Sequence, residues 1–323
     1  MQAHAPSSIW TKVAKNKPYP DRKAKIQCFI DDCKNLEPLK KSISSHTFDD
    51  GICRIATYNV HYWTDAWTGG DQAANFDGIL EVIKNINADI LILQEVNWDE
   101  SEWNSLTNSE IIQKFEALGY KYNIFGEAAH IYGAPFGNVI FSKYPFKKSF
   151  SEKYNIIVNG EDRSYIYSLI ELSPKNSISI FGTHLDVFDE SGSVRKQQIE
   201  ILTKKIDELK IDKNVLIAAD FNEVRESDYQ YDVEGKSVWE MLKADNLQRH
   251  DPTPVTVADH LVKSGYIDCF SKANILPPKF TVWSGSMVDF IYLKNWNLDI
   301  VGCYAYYNAA SDHIPVIMDV KIP

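Results

Sequence analysis

Asp220 and Asn222 follow directly on Val215 to Ala218, a short uninterrupted apolar run that reads as a strand buried on both faces. Period-2 alternation puts the two polar residues on one side and Phe221 on the other. An acid and an amide at the end of a buried strand are costly unless something polar meets them there. One such tripeptide is an ordinary Asx turn. Several other apolar strands end in the same way, however, in Asn59, Glu95, His184, Asp289, Asp312 and His313.

The chemistry these groups suit together is metal-assisted attack on a phosphate ester. Glu95, Asp312 and Asn59 offer hard oxygens fit for Mg²⁺, which keeps several waters and takes a substrate oxygen; Mn²⁺ is the admissible substitute. Asp220 and Asn222 can orient and deprotonate a water. Two histidines can donate to phosphoryl oxygens or to the leaving group. No His/Cys set has zinc spacing, and no glycine-rich phosphate loop is present.

The elements that must position these groups alternate in type. Ile52 to Val60 reads as a strand, and the aromatic loop Tyr62–Gly70 follows it. Phe76, Ile79, Leu80, Ile83 and Ile86 recur at helical spacing. Asp89 to Leu93 is a second strand ending in Gln94-Glu95. A helix is expected over Ser109–Leu118 with Ser109 as cap. Strands are expected at Asn138–Ser142, Tyr165–Leu172, Ile178–Gly182, Val288–Leu293 and Ile314–Val320. Ile199, Leu202, Ile206 and Leu209 mark a long helix, and Val238–Leu242 a further one. Helices flanking a strand core give an α/β fold. One domain over 49–323, with an N-terminal extension over 1–48 packed on it, is the expected organisation.

Composition narrows the partners. The chain has 323 residues, 44% hydrophobic, with a net charge of −10. That balance argues against a protein holding nucleic acid mainly by neutralising phosphates; an acidic enzyme reaching phosphates through a divalent cation remains open. The five cysteines are an odd number without metal-site spacing. They read as reduced thiols, and with no secretion signal or membrane span evident the expectation is a cytoplasmic monomer. Residues 1 to about 48 are basic by contrast, with a candidate short helix at Ile26–Leu36. A packed appendage is favoured over an arm for a polyanion.

The motifs Thr57-Tyr-Asn59, Leu93-Gln-Glu95-Val, Thr183-His184-Leu-Asp, Asp220-Phe-Asn222, Val288-Asp289-Phe and Ser311-Asp312-His313-Ile-Pro occur in the order that resembles the endonuclease/exonuclease/phosphatase (DNase I-like) superfamily. Phe136-Gly-Asn138 and the pair Arg195 and Gln198 resemble its bacterial-type members. The resemblance spans residues 52–320 and implies a four-layered αββα sandwich, with the site where the strand ends of two facing sheets meet. It implies Glu95 as principal Mg²⁺ ligand, helped by Asn59 and Asp312. It implies that Asp220 activates the attacking water, that Asn222 holds the phosphate and that Asp289 orients His313. His184 would protonate the leaving oxygen or stabilise the phosphorane-like charge, and Arg163 would contact phosphate.

There are departures. Ala219 replaces a frequent glycine, Met287 stands where a basic residue is common, and His61 stands where some branches carry a metal-binding Asp. Tyr58 and His184 set the chain apart from abasic-site endonucleases and nearer the deoxyribonuclease, sphingomyelinase and tyrosyl-DNA phosphodiesterase side. The leading expectation is a Mg²⁺-dependent phosphodiesterase acting on nucleic acid or its ends, with Tyr62, Trp63 or Trp67 stacking on a base. The alternative is a phosphatase or phospholipase C-type enzyme for inositol phosphates, phosphoinositides or sphingomyelin. A non-catalytic binding module is the third reading, and the complete residue set counts against it.

Overall fold

The computed structural model describes residues 46–48, 50–65, 73–225, 232–233, 236–237, 253, 256–278, 280–282 and 286–323. The basic stretch before His46, the expected helices at 26–36 and 238–242, and Trp67 lie outside them.

Strand β1 (Ile52–Asn59) and strand β2 (Ile90–Asn97) run parallel, so the chain must cross over between them, and helix α1 (Phe76–Ile86) makes that crossing. Helix α2 (Asn108–Ala117) starts at Thr107 and not at Ser109: the Thr107 hydroxyl accepts from the Glu110 N–H and the Glu110 carboxylate accepts from the Thr107 N–H at 2.9 Å. Threonine followed three residues later by glutamate is the sequence mark of this reciprocal cap. Strands β3 (Tyr122–Ile131) and β4 (Ala134–Ser142) then complete one edge of the first sheet.

The second sheet is built from β5 (Phe146–Lys153), β6 (Ser164–Ser173), β7 (Asn176–His184) and, across helix α3 (Ser193–Glu208), the parallel strand β8 (Val215–Asp220). A small ribbon of β9 (Asp232–Val233) and β10 (Lys236–Ser237) follows. Helix α4 (Val257–Lys263), strand β11 (Ile267–Asp268), helix α5 (Cys269–Ala273), and strands β12 (Asp289–Lys294), β13 (Ile300–Ala305) and β14 (Val316–Lys321) close the chain. The sheets run β13-β14-β1-β2-β4-β3 and β11-β12-β8-β7-β6-β5. Sequence pattern missed β3, β5, β13, the two-residue strands β9, β10 and β11, and helices α4 and α5. Strand β5 is an exposed edge whose Lys147, Lys148 and Lys153 blunt it against pairing with other chains, so it shows no apolar run.

Alternation decides which side chains meet. Ile55, Ile92, Ile180, Leu216 and Met318 enter the core between the sheets, while Tyr58, Leu91, Leu93 and Trp63 pack with Ile83 of α1 and Phe115 of α2 on the outer face of the first sheet. Ile199, Leu202 and Leu261 from α3 and α4 cover the second sheet. The layers are helix, sheet, sheet, helix: the expected αββα sandwich. Gly182, two residues before His184, lets the sheets close on each other near the site. A Cβ there would stand 2.7 Å from Ile92 Cγ2.

Candidate active site

Topology explains why the polar strand ends converge. The parallel pairs β1–β2 and β7–β8 lie at the centres of the two sheets, so both strands of each pair finish at the same edge. Antiparallel β12 begins beside the end of β8, with Asp289 opposite Asp220, and β14 begins beside the end of β1. His184 and Asp220 are themselves paired in register. Asn59, His184, Asp220 and Asp289 thereby reach the space between the sheets from four strands, and Asp312 and His313 enter from the turn before β14.

Glu95 needs a further device. Alternation would send it to the helix-covered face with Leu91 and Leu93. The β2–β4 register instead shifts between Leu93 and Val96, and Glu95 sits at φ 54°. This bulge turns its carboxylate into the site. Asn222 is likewise at φ 48°, and His61, Tyr62 and Trp63 form a single left-handed turn at φ 44°, 56° and 67°. Such conformations cost energy in non-glycine residues and persist where surrounding structure enforces them.

Asn59 is the hub. Its Nδ2 donates to Glu95 Oε1 at 2.9 Å and to Asp220 Oδ2 at 3.0 Å, while its Oδ1 accepts from the His61 N–H at 2.9 Å. Asp220 Oδ1 accepts from the Asn222 N–H at 2.9 Å. The Asx turn suggested by the tripeptide is therefore present, and it turns Oδ2 towards Asn59 and the two histidines. His313 Nδ1 meets Asp289 Oδ2 at 2.8 Å and its Nε2 lies 3.6 Å from Asp220 Oδ2. His184 Nε2 lies 3.6 Å from the same oxygen and 3.9 Å from Glu95 Oε1. Asp312 Oδ1 is 3.6 Å from His61 Nδ1, so His61 belongs to the cluster too.

The electrostatics match this crowding. Burial, then Asp289, pushes the Asp220 carboxyl up to about 6. Burial raises Glu95, against His61, and Asp312 raises it further. Burial opposes a charge on His313, but Asp289, Asp220 and Asp312 together outweigh it and raise its pKa well above the usual value. Burial, with Arg163 and His313, holds His184 well below the usual histidine value.

Neighbouring residues hold these groups still. Gln198 accepts from the Asp186 N–H at 2.9 Å and Arg195 donates to the Asp186 carbonyl at 3.0 Å, fixing the loop after His184. Thr281, which no sequence signal marked, accepts from the N–H groups of Val288 and Asp289, each at 3.0 Å. Asn138 ties the two sheets together by donating to the Ser164 carbonyl at 3.0 Å.

Two expected substrate contacts, Trp63 and Arg163, are buried against protein groups. Trp63 is fully buried and donates its indole N–H to the Asn97 carbonyl at 2.8 Å, so it offers no face for stacking. A tryptophan in an aromatic loop looks the same in sequence whether it anchors the loop or lines a site. Its neighbour Tyr62, packed on Phe136 and Tyr132, keeps part of its surface exposed. Arg163 is 3% exposed; its Nη1 lies 3.2 Å from His184 Nδ1 and its Nη2 3.3 Å from Glu161 Oε2. Met287 is core.

Glu95, His184 and Asp220 place ligand atoms within 4.8 Å of one another, as do Asp220, Asp289 and His313. The donors are hard carboxylate oxygens and imidazoles without a thiol, and Asp289 Oδ1 is buried without a hydrogen-bond partner among the described residues. Glu95, Asp220, Asp289 and Asp312 face His61, His184 and His313 here, with His184 held neutral. A divalent cation fits that donor set and that excess of negative charge.

A two-sheet sandwich that gathers acids, amides and histidines at the ends of its central strands defines a hydrolase of phosphoester bonds. The chain belongs to the Endonuclease/Exonuclease/phosphatase family, whose model matches residues 56–313. The uncharacterized protein YbhP of Escherichia coli (strain K12) is 24% identical over 189 residues, 54% of this chain and 68% of that protein. Among solved structures, an endonuclease/exonuclease/phosphatase from Beutenbergia cavernae DSM 12333 is 18% identical with a TM-score of 0.61, over 84% of this chain and 71% of that one. ANGEL2, a 2',3'-cyclic phosphatase, is 16% identical with a TM-score of 0.57, over 84% and 95%.

Proposed function

We propose that this chain is a Mg²⁺-dependent phosphodiesterase whose substrate is a nucleic-acid strand or strand end. The observation that carries the reaction is the meeting of Asn59, Glu95, Asp220 and His313 around one point, with Asn59 bonded to two acids of different sheets. Glu95 and Asp312 would hold the ion, with Asn59 beside them once its amide turns its oxygen inward, and Mn²⁺ would serve in its place. The bound ion supplies charge neutralisation at the phosphate.

The chain's own groups do the rest. Asp220 takes the proton of a water as the water oxygen bonds to phosphorus and the ester P–O bond breaks. His313, kept charged by Asp289, stabilises the negative charge that grows on the phosphoryl oxygens. His184 and Asn222 face the same phosphate from β7 and the β8 turn. Tyr62 and the half-exposed Tyr132 offer aromatic surface for a terminal base. The unit 49–323 carries this reaction as a cytoplasmic monomer on this reading. Among the described residues no helix is long and apolar enough to cross a membrane.

A second reading, a phosphatase or phospholipase C-type enzyme, is favoured by Val187 and Phe188, exposed just beyond the His184 loop. One panel separates them: single- and double-stranded DNA, RNA, 5′-tyrosyl DNA, sphingomyelin vesicles and phosphoinositides, each with Mg²⁺, Mn²⁺ or a chelator. Turnover of a nucleic acid that the chelator abolishes is the expected result. Turnover confined to the lipids would replace the first reading by the second.

A further inference from the structure

We infer that Arg163 is a positioning residue that fixes the tautomer of His184, with the imidazole hydrogen on Nε2 and the lone pair on Nδ1. The geometry sets two donors against one ring. Arg163 Nη1 stands 3.2 Å from His184 Nδ1, and the Asn222 amide nitrogen stands 2.7 Å from His184 Nε2. A neutral imidazole has one nitrogen lone pair, so it can accept only one of these contacts. A guanidinium has no acceptor and cannot be turned to provide one. An Nδ1–H would therefore face a cation with no bond to make.

Arg163 is also the less movable of the two. It is 3% exposed, its Nη2 is 3.3 Å from Glu161 Oε2, and its guanidinium lies over the Phe136 ring at 5.9 Å. The Asn222 amide, by contrast, carries no charge and can turn over, giving up its 3.0 Å contact to the Leu185 carbonyl and rotating its oxygen away from that carbonyl. Its oxygen then accepts from His184 Nε2–H, and its NH₂ becomes the donor available to a phosphoryl oxygen. The order of donation runs from Arg163 to His184 to Asn222. Arg163 acts on the substrate through two side chains and does not touch phosphate itself. Glu161 holds the first link, and the pair is spaced i, i+2 on the turn that enters β6.

The tautomer inference stands on side-chain geometry. Only its consequence for turnover rests on the phosphodiesterase reading above. The test therefore begins without substrate. Full-length protein with ¹⁵N-labelled histidine is read by long-range ¹H–¹⁵N correlation, with the His184 signals assigned by their loss in His184→Asn. The expected spectrum shows Nδ1 as the unprotonated, pyridine-type nitrogen and Nε2 as the protonated one. In Arg163→Met the preference should vanish or reverse; in Arg163→Lys, which keeps one donor and the charge, it should persist. A protonated Nδ1 in the native protein, or an Arg163→Met spectrum identical to it, overturns the inference.

Kinetics on whichever ester the panel identifies supply the second arm. Arg163→Met should lower kcat about 10–100-fold, the range that outer partners of site groups carry, with KM little changed. Arg163→Lys should recover most of the loss. A rise in KM at constant kcat would instead make Arg163 a direct phosphate anchor and overturn the positioning role. A protein that cleaves none of the esters fails the phosphodiesterase reading and leaves the spectroscopic result to decide this one.

Discussion

Two buried histidine–aspartate pairs within hydrogen-bond distance lie at opposite ends of β1, and their surroundings differ. At the far end His46 Nε2 meets Asp89 Oδ2 at 2.7 Å and its Nδ1 meets Asp50 at 2.9 Å. Every oxygen of Asp89 is used: Oδ2 also accepts from the Arg54 N–H at 2.9 Å, and Oδ1 from Lys143 Nζ at 3.3 Å. Lys143 and Asn87 then share a 2.7 Å bond, and Asn87 donates to the His46 carbonyl. At the site end His313 and Asp289 lie 2.8 Å apart, yet Asp289 Oδ1 is buried without a hydrogen-bond partner among the described residues and Asp220 Oδ2 faces His184 and His313 at 3.6 Å. The far end balances acids with a lysine and spends its polar atoms on holding residues 46–50 to the sheet. The site end leaves negative charge in excess and backbone in left-handed geometry. The same pair of residue types is thus set in a satisfied network at one end and, on the proposed function, in a charged site at the other.

The largest expected contrast comes from one isosteric change at each end. Asp220→Asn should lower kcat by about 10²–10⁴-fold, the usual worth of a general base, with the melting temperature unchanged or raised. In the native protein kcat/KM should rise with pH through about 6, where Asp220 gives up its proton. A pH profile flat from 5 to 7 would remove Asp220 from the role of base. Asp89→Asn should do the reverse. It leaves His46 and Lys143 with one acid fewer in a buried network, a loss of about 3–5 kcal/mol on the scale of broken buried pairs. Denaturant unfolding reads that loss, and kcat/KM at 25 °C should stay as it was. Equal damage to activity from both substitutions would dissolve the distinction between the ends.

Much of this contrast was legible in the sequence. Polar residues closing apolar strands mark the site because burial without a partner is too costly to be accidental at many strands at once. Glu95, His184, Asp220, Asn222, Asp289 and His313 all come together at one end of the sandwich, as the strand pattern led one to expect. Three kinds of information were not legible. Trp63 and Arg163 turn inward because of loop geometry, which periodicity does not encode. Glu95 reaches the site only through a bulge, so its alternation points the wrong way. Thr281 supports Asp289 from a loop with no pattern at all. The Thr107–Glu110 cap, by contrast, was written in the sequence and passed over in favour of Ser109.

A smaller effect sharpens the assignment of charge at the site. Glu95→Gln keeps the shape and the contact from Asn59 but removes the charge that lets an acidic cluster hold a dication. Its Mg²⁺ affinity, measured by calorimetry, should fall by more than the about 10–100-fold typical of an outer partner. Asp50→Asn at the far end should leave that affinity untouched. Should Glu95→Gln bind Mg²⁺ like the native protein, the ion is held by other groups.

The smallest expected effect is a pH dependence of stability that the two ends divide between them. Burial lowers the His46 pKa, but the bonds and charges of Asp89 and Asp50 outweigh it and the net change is upward. His313 is raised too, and further. A histidine whose folded pKa exceeds its unfolded value of about 6.5 binds its proton more tightly in the folded state. Its stabilisation is complete below that unfolded value and is lost as pH rises through the folded one. Native protein should therefore lose melting temperature above pH 6.5 in two stretches, the lower from His46 and the higher from His313. Thermal melts of His46→Asn should lack the lower stretch and keep the higher, and His313→Asn should show the converse. Because the far-end pair lies at the opposite end of β1 from the site, His46→Asn should also leave the pH profile of kcat/KM in place while His313→Asn abolishes turnover. An unchanged melting profile in His46→Asn would mean that Lys143 alone neutralises Asp89, and that the far end is held by its lysine and not by its histidine.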